Sequence, residues 1–221
     1  MDTYRNQSGI LNVDEFDYLD VAVIGCGSIG SFLALGLSKL GLNNLMLIDG
    51  DKIENHNVPT QFYYADNVGN NKADILKSSL RNYAVKSFPM NLAANHILDA
   101  DVVFICVDSL KARKIALKCV LDSYAKNKKP KLIIDGRMFR LMFRVFTIDI
   151  TKQSMLNKYT KSLLGKEFSG KCTEKGIIQN VFAVTAVMLE QLKKVLNSQE
   201  YHAIINCDFD KYQFQNMMES R

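Results

Sequence analysis

The stretch Val21-Ala22-Val23-Ile24-Gly25-Cys26-Gly27-Ser28-Ile29-Gly30 limits what this chain can fold into more than any other. Four apolar residues run directly into a glycine-rich turn, and such a run reads as a strand buried on both faces of a parallel sheet. The glycines divide separate jobs: a tight turn, close approach of backbone N–H groups to phosphate, and close helix–strand packing. A helical run from Ser31 to Leu40 follows, and its partly positive N-terminus faces whatever anion sits there. Leu45-Met46-Leu47-Ile48 then ends in Asp49, where a carboxylate accepts hydrogen bonds from ribose hydroxyls. Strand, turn, helix and acid make a βαβ nucleotide cradle. They do not say which nucleotide.

The remaining pattern predicts an α/β chain: a Rossmann-like, mostly parallel sheet, helices on both faces, and antiparallel strands added at the C-terminal side. Gly41 stops the first helix. Residues 50–70 form a polar loop, long enough to expect a function. A helix is predicted over Asn71–Tyr83, a strand near Lys86–Met90, and a doubly buried strand over Asp101–Val107. Asp108 or Ser109 caps a helix running to about Lys126, and Leu132–Asp135 is the next parallel strand. Alternation over Phe139–Val145 predicts one further strand with arginines on its outer side. A polar stretch, 151–176, precedes a largely buried helix from Ile177 to Leu196, and Tyr201–Asn206 with Tyr212–Gln215 reads as a closing hairpin. The expected organisation is one domain over 1–221: an arm at 1–20, a nucleotide-binding half at 21–135, and an extension at 136–221.

Composition narrows the class. At 221 residues folding buries roughly 70% of the extended chain's surface. No apolar run approaches the ~20 residues of a membrane span, and the acidic N-terminal stretch is not expected to act as a signal peptide. Cysteines stand at 26, 106, 119, 172 and 207 without a Cys-x-x-Cys, so a reducing, cytoplasmic setting is expected rather than a disulfide framework. The net charge of +5 is mild. Its densest cluster, Lys126–Lys131, falls in a helix-to-strand loop, and a solvated loop is the plainer reading over contact with an anionic partner.

Further polar residues line up at the carboxyl ends of the parallel strands, where open α/β sheets bind ligands: Asp49 with Asp51, Asn57 with Gln61, Lys72, Asp108 and Arg113. Hydride transfer needs the glycines and Asp49 and has no use for the rest. Phosphoryl or nucleotidyl chemistry uses them all: cations where charge develops on phosphate, a carboxylate for Mg²⁺, amides to hold a triphosphate in line.

At this point the sequence resembles the ThiF/MoeB adenylyltransferases, the fold also used by ubiquitin-activating enzymes. That family reads G-x-G-G-x-G, L-x-D-x-D, a loop ending S-N-L-x-R-Q, G-x-x-K and T-D-N-x-x-x-R. Here stand Gly25-Cys-Gly27-Ser28-Ile-Gly30, Leu47-Ile-Asp49-Gly-Asp51, Asn57-Val-Pro-Thr-Gln61, Gly69-Asn-Asn-Lys72 and Val107-Asp108-Ser109-Leu-Lys-Ala-Arg113. The resemblance implies ATP-dependent activation of a carboxylate, usually the C-terminal glycine of a ubiquitin-like or sulfur-carrier protein, as an acyl-adenylate. Under it Asp49 holds the ribose, the glycine turn lies against the phosphates, Lys72 neutralises charge on the transferred phosphoryl group, Asp108 binds Mg²⁺, and Arg113 orients that site. It also implies a homodimer.

The sequence departs from the family in three places. Thr60 stands where the family places arginine, a loss worth on the order of 10³-fold where such an arginine stabilises a phosphoryl-transfer transition state. Arg5, from the N-terminal arm, is the candidate substitute, reaching the partner subunit's site. Ser109 replaces asparagine, a milder change. The paired Cys-x-x-Cys motifs of many members are absent, so no zinc is expected. Cys172, in Cys172-Thr-Glu-Lys-Gly176-Ile-Ile, matches the family's C-x-x-x-G-[VI]-[VI]. Two readings stay open for it: a thiol that captures the activated carrier, favoured by nearby Lys171 and a helix N-terminus, or an incidental packed cysteine. Cys26 reads as a small residue that fits the turn, and His56 and His96 carry no assigned role. Other functions stay in view: a degenerate member that binds nucleotide or a partner without turnover, a relative acting on modified tRNA, and, last, a nicotinamide-dependent oxidoreductase.

Overall fold

The computed structural model describes residues 6–7, 9–10, 16, 18–80, 84–165 and 177–217. Arg5 and Cys172 lie outside them, as do most of the N-terminal arm and the segment leading into the last helix. Eight strands make one sheet in the order β3-β2-β1-β4-β5-β6-β7-β8: β1 Asp20–Ile24, β2 Asn44–Ile48, β3 Val85–Phe88, β4 Val102–Ile105, β5 Leu132–Phe139, β6 Met142–Asp149, β7 Ile204–Asp208 and β8 Gln213–Met217. Pairing is parallel from β3 to β5 and antiparallel from β5 to β8. The expected fold class is what the structure shows.

Period-two side chains send alternate residues into two cores. Val21, Val23, Leu45, Leu47, Phe104 and Ile134 meet α1 (Ser28–Lys39), α2 (Lys72–Ser79) and α5 (Ile178–Leu196). Ala22, Ile24, Val103, Ile105 and Ile133 meet α3 (Leu110–Asn127) and α4 (Gln153–Ser162). Strands covered on both faces must be apolar throughout, which is why β1 and β4 read as unbroken apolar runs. Helix α5 buries Val181, Val184, Met188 and Leu192 completely, each side chain worth about 1.5–3 kcal/mol. Gly41 (φ 98°) ends α1, and Leu42 N–H returns to the Leu37 carbonyl. No helix among the described residues is long and apolar enough to cross a membrane.

Three sequence expectations need correction. Phe139–Val145 is not one strand: β5 runs to Phe139, the chain turns at Arg140-Leu141, and β6 begins at Met142. The turn has no glycine or asparagine because a tertiary contact holds it: Asn180 of α5 donates its amide to the Arg140 carbonyl (2.9 Å) and the Met142 carbonyl (3.2 Å). The polar stretch 151–176 contains α4, which buries only Met155 and Tyr159, too thin a stripe to stand out. Helix α1 starts at Ser28, not Ser31, so the glycine turn is itself the helix start.

Candidate active site

Strand β1 lies where the winding of the sheet reverses, between β2 and β4, the position at which such sheets bind ligands. The turn after it is fixed on both sides. Gly25 N–H donates to the Ile48 carbonyl and Cys106 N–H to the Ile24 carbonyl. Gly25 adopts φ +91°, and a Cβ there would stand 2.9 Å from the Cys106 carbonyl. A Cβ on Gly30 would stand 1.8 Å from the Gly25 carbonyl oxygen. Gly27 is different: among the described residues nothing lies within 4 Å of its Cβ position, and they leave the space above it open. It is the N-cap of α1 and supplies no side-chain cap, nor is there an acidic residue in the first turn. The helix thus offers its N-terminal dipole to an outside anion.

Asp49 closes one side of this turn. Its carboxylate accepts from Cys26 N–H (2.6 Å) and Asp51 N–H (2.8 Å). Burial pushes its carboxyl above the ordinary value, against the pull of those two amides and of Lys72. The loop 50–70 is pinned rather than slack. Asn57 accepts from Glu54 N–H and Asn67 from Tyr64 N–H, each closing a one-turn 3-10 segment. Ile53 N–H donates to Asn70, and Gly69 N–H returns to Ile53. Asn57 is therefore committed to holding its own loop. Gln61 differs, for its side-chain oxygen is buried with no hydrogen-bond partner among the described residues. Its neighbour Phe62 donates its backbone N–H to Ser31 Oγ in the first turn of α1. Thr60, in place of arginine, sits 3.4 Å from the Ser28 hydroxyl.

Lys72 opens α2, and Asn71 caps that helix by accepting from Asp74 N–H while donating to the Asp49 and Asp51 carbonyls. The Lys72 ammonium pairs with Asp51 at 3.1 Å; the lysine side chain is 10% exposed and the aspartate 67%. A buried cation thus faces an acid at the mouth of the site. Tyr63, which sequence reasoning missed, joins the parts: its hydroxyl lies 2.7 Å from the Cys26 carbonyl and 3.2 Å from the Lys72 carbonyl. Asp108 follows Val107, whose nitrogen lies 3.0 Å from the Gly25 Cβ position. The cap of α3 is Ser109, which accepts from Ala112 N–H. Arg113 is buried, donating to Asp135, the Val107 carbonyl and the Gly136 carbonyl. At the start of α3, a cleft of about 450 Å³ is lined by Leu110, Lys111, Lys114, Ile115 and Gly165.

The structure therefore brings Gly25, Gly27, Ser28, Gly30, Asp49, Asp51, Gln61, Lys72 and Asp108 to one rim, with Arg113 behind it. Asp135 was also missed. It lies inside β5 at the last position paired with β4, opposite Ile105, level with the strand ends that Asp49 and Asp108 follow, so a signal of the same kind stood in the sequence. Among the described residues no three His, Cys, Asp or Glu side chains are grouped to hold a metal. Mg²⁺ needs no such cage, since it is usually gripped by one or two carboxylates together with substrate phosphates. A carboxylate beside an uncapped helix start, with a buried cation opposite, fits that mode.

Comparison with known proteins agrees with this geometry. Ubiquitin-like modifier-activating enzyme 5 of Xenopus laevis is 29% identical over 122 residues, covering 46% of this chain and 31% of that protein. Adenylyltransferase and sulfurtransferase MOCS3 of Mus musculus is 33% identical over 128 residues, covering 53% of this chain and 28% of that protein. The chain thus matches about a third of the length of these relatives. Among solved structures, E. coli MccB crystallised with ATP superposes with a TM-score of 0.77 at 18% identity, covering all of this chain and 72% of that one. PaaA gives 0.75 at 19%, covering 98% and 82%; both likenesses speak to the fold. The ThiF family profile matches residues 9–221, taking in every strand of the sheet and the whole strand-end cluster, and the chain belongs to that family.

Proposed function

We propose that this chain adenylates the C-terminal carboxylate of a small ubiquitin-like or sulfur-carrier protein, using Mg-ATP. The observation that carries the reading is the single rim on which the open Gly27 turn, Asp49, buried Lys72 and Asp108 meet. Relatives named as a modifier-activating enzyme and an adenylyltransferase support it. The ribose hydroxyls donate to Asp49, and the phosphates lie along the start of α1. The Lys72 ammonium, released from Asp51 towards the α-phosphate, offsets charge developing there. Asp108 holds Mg²⁺, which supplies Lewis-acid charge neutralisation on the phosphates when bound. A carboxylate oxygen of the carrier attacks the α-phosphorus, the bond to the β-phosphate oxygen breaks, and pyrophosphate leaves. The cleft at the start of α3, with Lys111 and Lys114 on its wall, is the approach we assign to the carrier's tail. Arg5 and Cys172 keep their expected roles in this reading as a substitute cation in trans and a capturing thiol.

The test is ATP–pyrophosphate exchange with a purified carrier ending in Gly-Gly. Wild type exchanges label, and Asp108→Ala or Lys72→Ala lowers the rate about 10²–10³-fold with circular dichroism unchanged. Thr60, which brings no cation to the site, favours a second reading: nucleotide binding without turnover. Tight ATP binding with no exchange at any carrier concentration selects it.

A further inference from the structure

Asp135 is wholly buried, and three donors converge on its carboxylate. Arg113 bonds Oδ1, while Arg137 Nε (2.8 Å) and Tyr159 OH (3.0 Å) bond Oδ2. The two oxygens face two different parts of the fold. On the Oδ2 side, Tyr159 belongs to α4. Arg137 continues to the Ser162 hydroxyl (3.0 Å) and carbonyl (3.3 Å) at the end of that helix, with its guanidinium 4.3 Å from the Phe146 ring centre. On the Oδ1 side, Arg113 passes the contact on to the Val107 and Gly136 carbonyls. The Val107 carbonyl belongs to the peptide whose nitrogen is that of Asp108, so holding it fixes the plane from which the Asp108 side chain springs. Ser109, on the other side, is fixed as the cap of α3.

We propose that Asp135 is a positioning residue for Asp108, acting through Arg113: its Oδ1 arm sets the backbone from which Asp108 reaches the metal, and its Oδ2 arm only anchors α4. The inference rests on the reading of Asp108 as the Mg²⁺ residue. Arg113 has many rotamers of its own, and the buried carboxylate that holds Nη1 keeps Nη2 aimed at the two carbonyls. Take that charge away and two guanidiniums, Arg113 and Arg137, face each other with no anion between them; Arg113 turns away, and the 107–108 peptide is freed. Partners beyond the ligand shell commonly change metal affinity by 10–100-fold in this manner.

The experiment uses the full chain with Mn²⁺, an EPR-visible stand-in for Mg²⁺, and the non-hydrolysable analogue α,β-methylene-ATP. Mn²⁺ binding is titrated for wild type, Asp135→Asn, Arg113→Lys and Tyr159→Phe. The expected result is about tenfold weaker Mn²⁺ binding in Asp135→Asn and Arg113→Lys. Tyr159→Phe keeps wild-type Mn²⁺ affinity and loses only thermal stability. Should Asp135→Asn fail to fold, Arg113→Lys decides, since it keeps the charge beside Asp135 but cannot reach both carbonyls. Equal affinity in wild type and the folded Oδ1-arm variants overturns the proposal, as does an equal loss in Tyr159→Phe. Absence of Mn²⁺–nucleotide binding by wild type instead overturns the assignment of Asp108 itself.

Discussion

A Cβ on Gly30 would overlap the Gly25 carbonyl oxygen, and both partners are backbone, so neither can move aside as a side chain would. Gly27 meets nothing among the described residues. The two positions therefore separate folding from binding. Gly30→Ala is expected to lose about 3 kcal/mol or more in urea unfolding. Gly27→Ala should stay within about 1 kcal/mol of wild type while ATP affinity, measured by calorimetry, falls at least tenfold because the methyl occupies the phosphate approach. Asp49, Lys72 and Asp108 were legible because each sits at a spacing that strands and helix starts dictate. Asn57 was legible as a position but not as a structural cap, since its acceptor role depends on a 3-10 turn that sequence spacing does not encode. Tyr63 was not legible at all: an aromatic in a polar loop gives no hint that its hydroxyl will join Cys26 to Lys72.

Elements followed the same division between local and tertiary causes. The doubly covered strands and α5 were readable because burial on all sides leaves a continuous apolar signature. Helix α4 was not, because one methionine and one tyrosine carry its buried face. The Arg140-Leu141 turn was hidden because its conformation is imposed from α5. Asn180→Ala removes both hydrogen bonds from α5 to this turn, leaving the one from Phe209 N–H to the Leu141 carbonyl, and two carbonyls must find other donors. The expected cost is about 1–2 kcal/mol in chemical denaturation, with hydrogen exchange quickening in β5 and β6 before other strands. If exchange quickens uniformly instead, the turn does not depend on α5.

Across the whole molecule, the rim that holds the site also borders an exposed aromatic cluster. Phe182 of α5 packs edge-on to Phe32 of α1 at 5.1 Å, and Phe62 joins Phe32 at 5.7 Å and Tyr64 at 6.4 Å. Phe182 is 53% and Tyr64 63% exposed, and grouped apolar exposure of this kind marks interaction surfaces. We propose that a second copy of the chain covers it, which would place the partner beside the Gln61 loop. Sedimentation equilibrium should show a dimer for wild type and a monomer for Phe182→Glu, with the protomer still folded and losing about 0.5–1.5 kcal/mol for the Phe32 contact. A wild-type monomer at all concentrations would sink that reading.

The position of β1 between β2 and β4 has one more consequence, for a chain still being made. Asp20 N–H finds its acceptor on Asp101, 81 residues later, and β4 pairs with β1 along its length. At ~5–20 residues per second of synthesis, one apolar flank of β1 waits roughly four to sixteen seconds for its neighbour to emerge. During that interval the nascent polypeptide presents a sticky ribbon edge. Ribosome-associated chaperones would have their main work there, well before any nucleotide could be gripped.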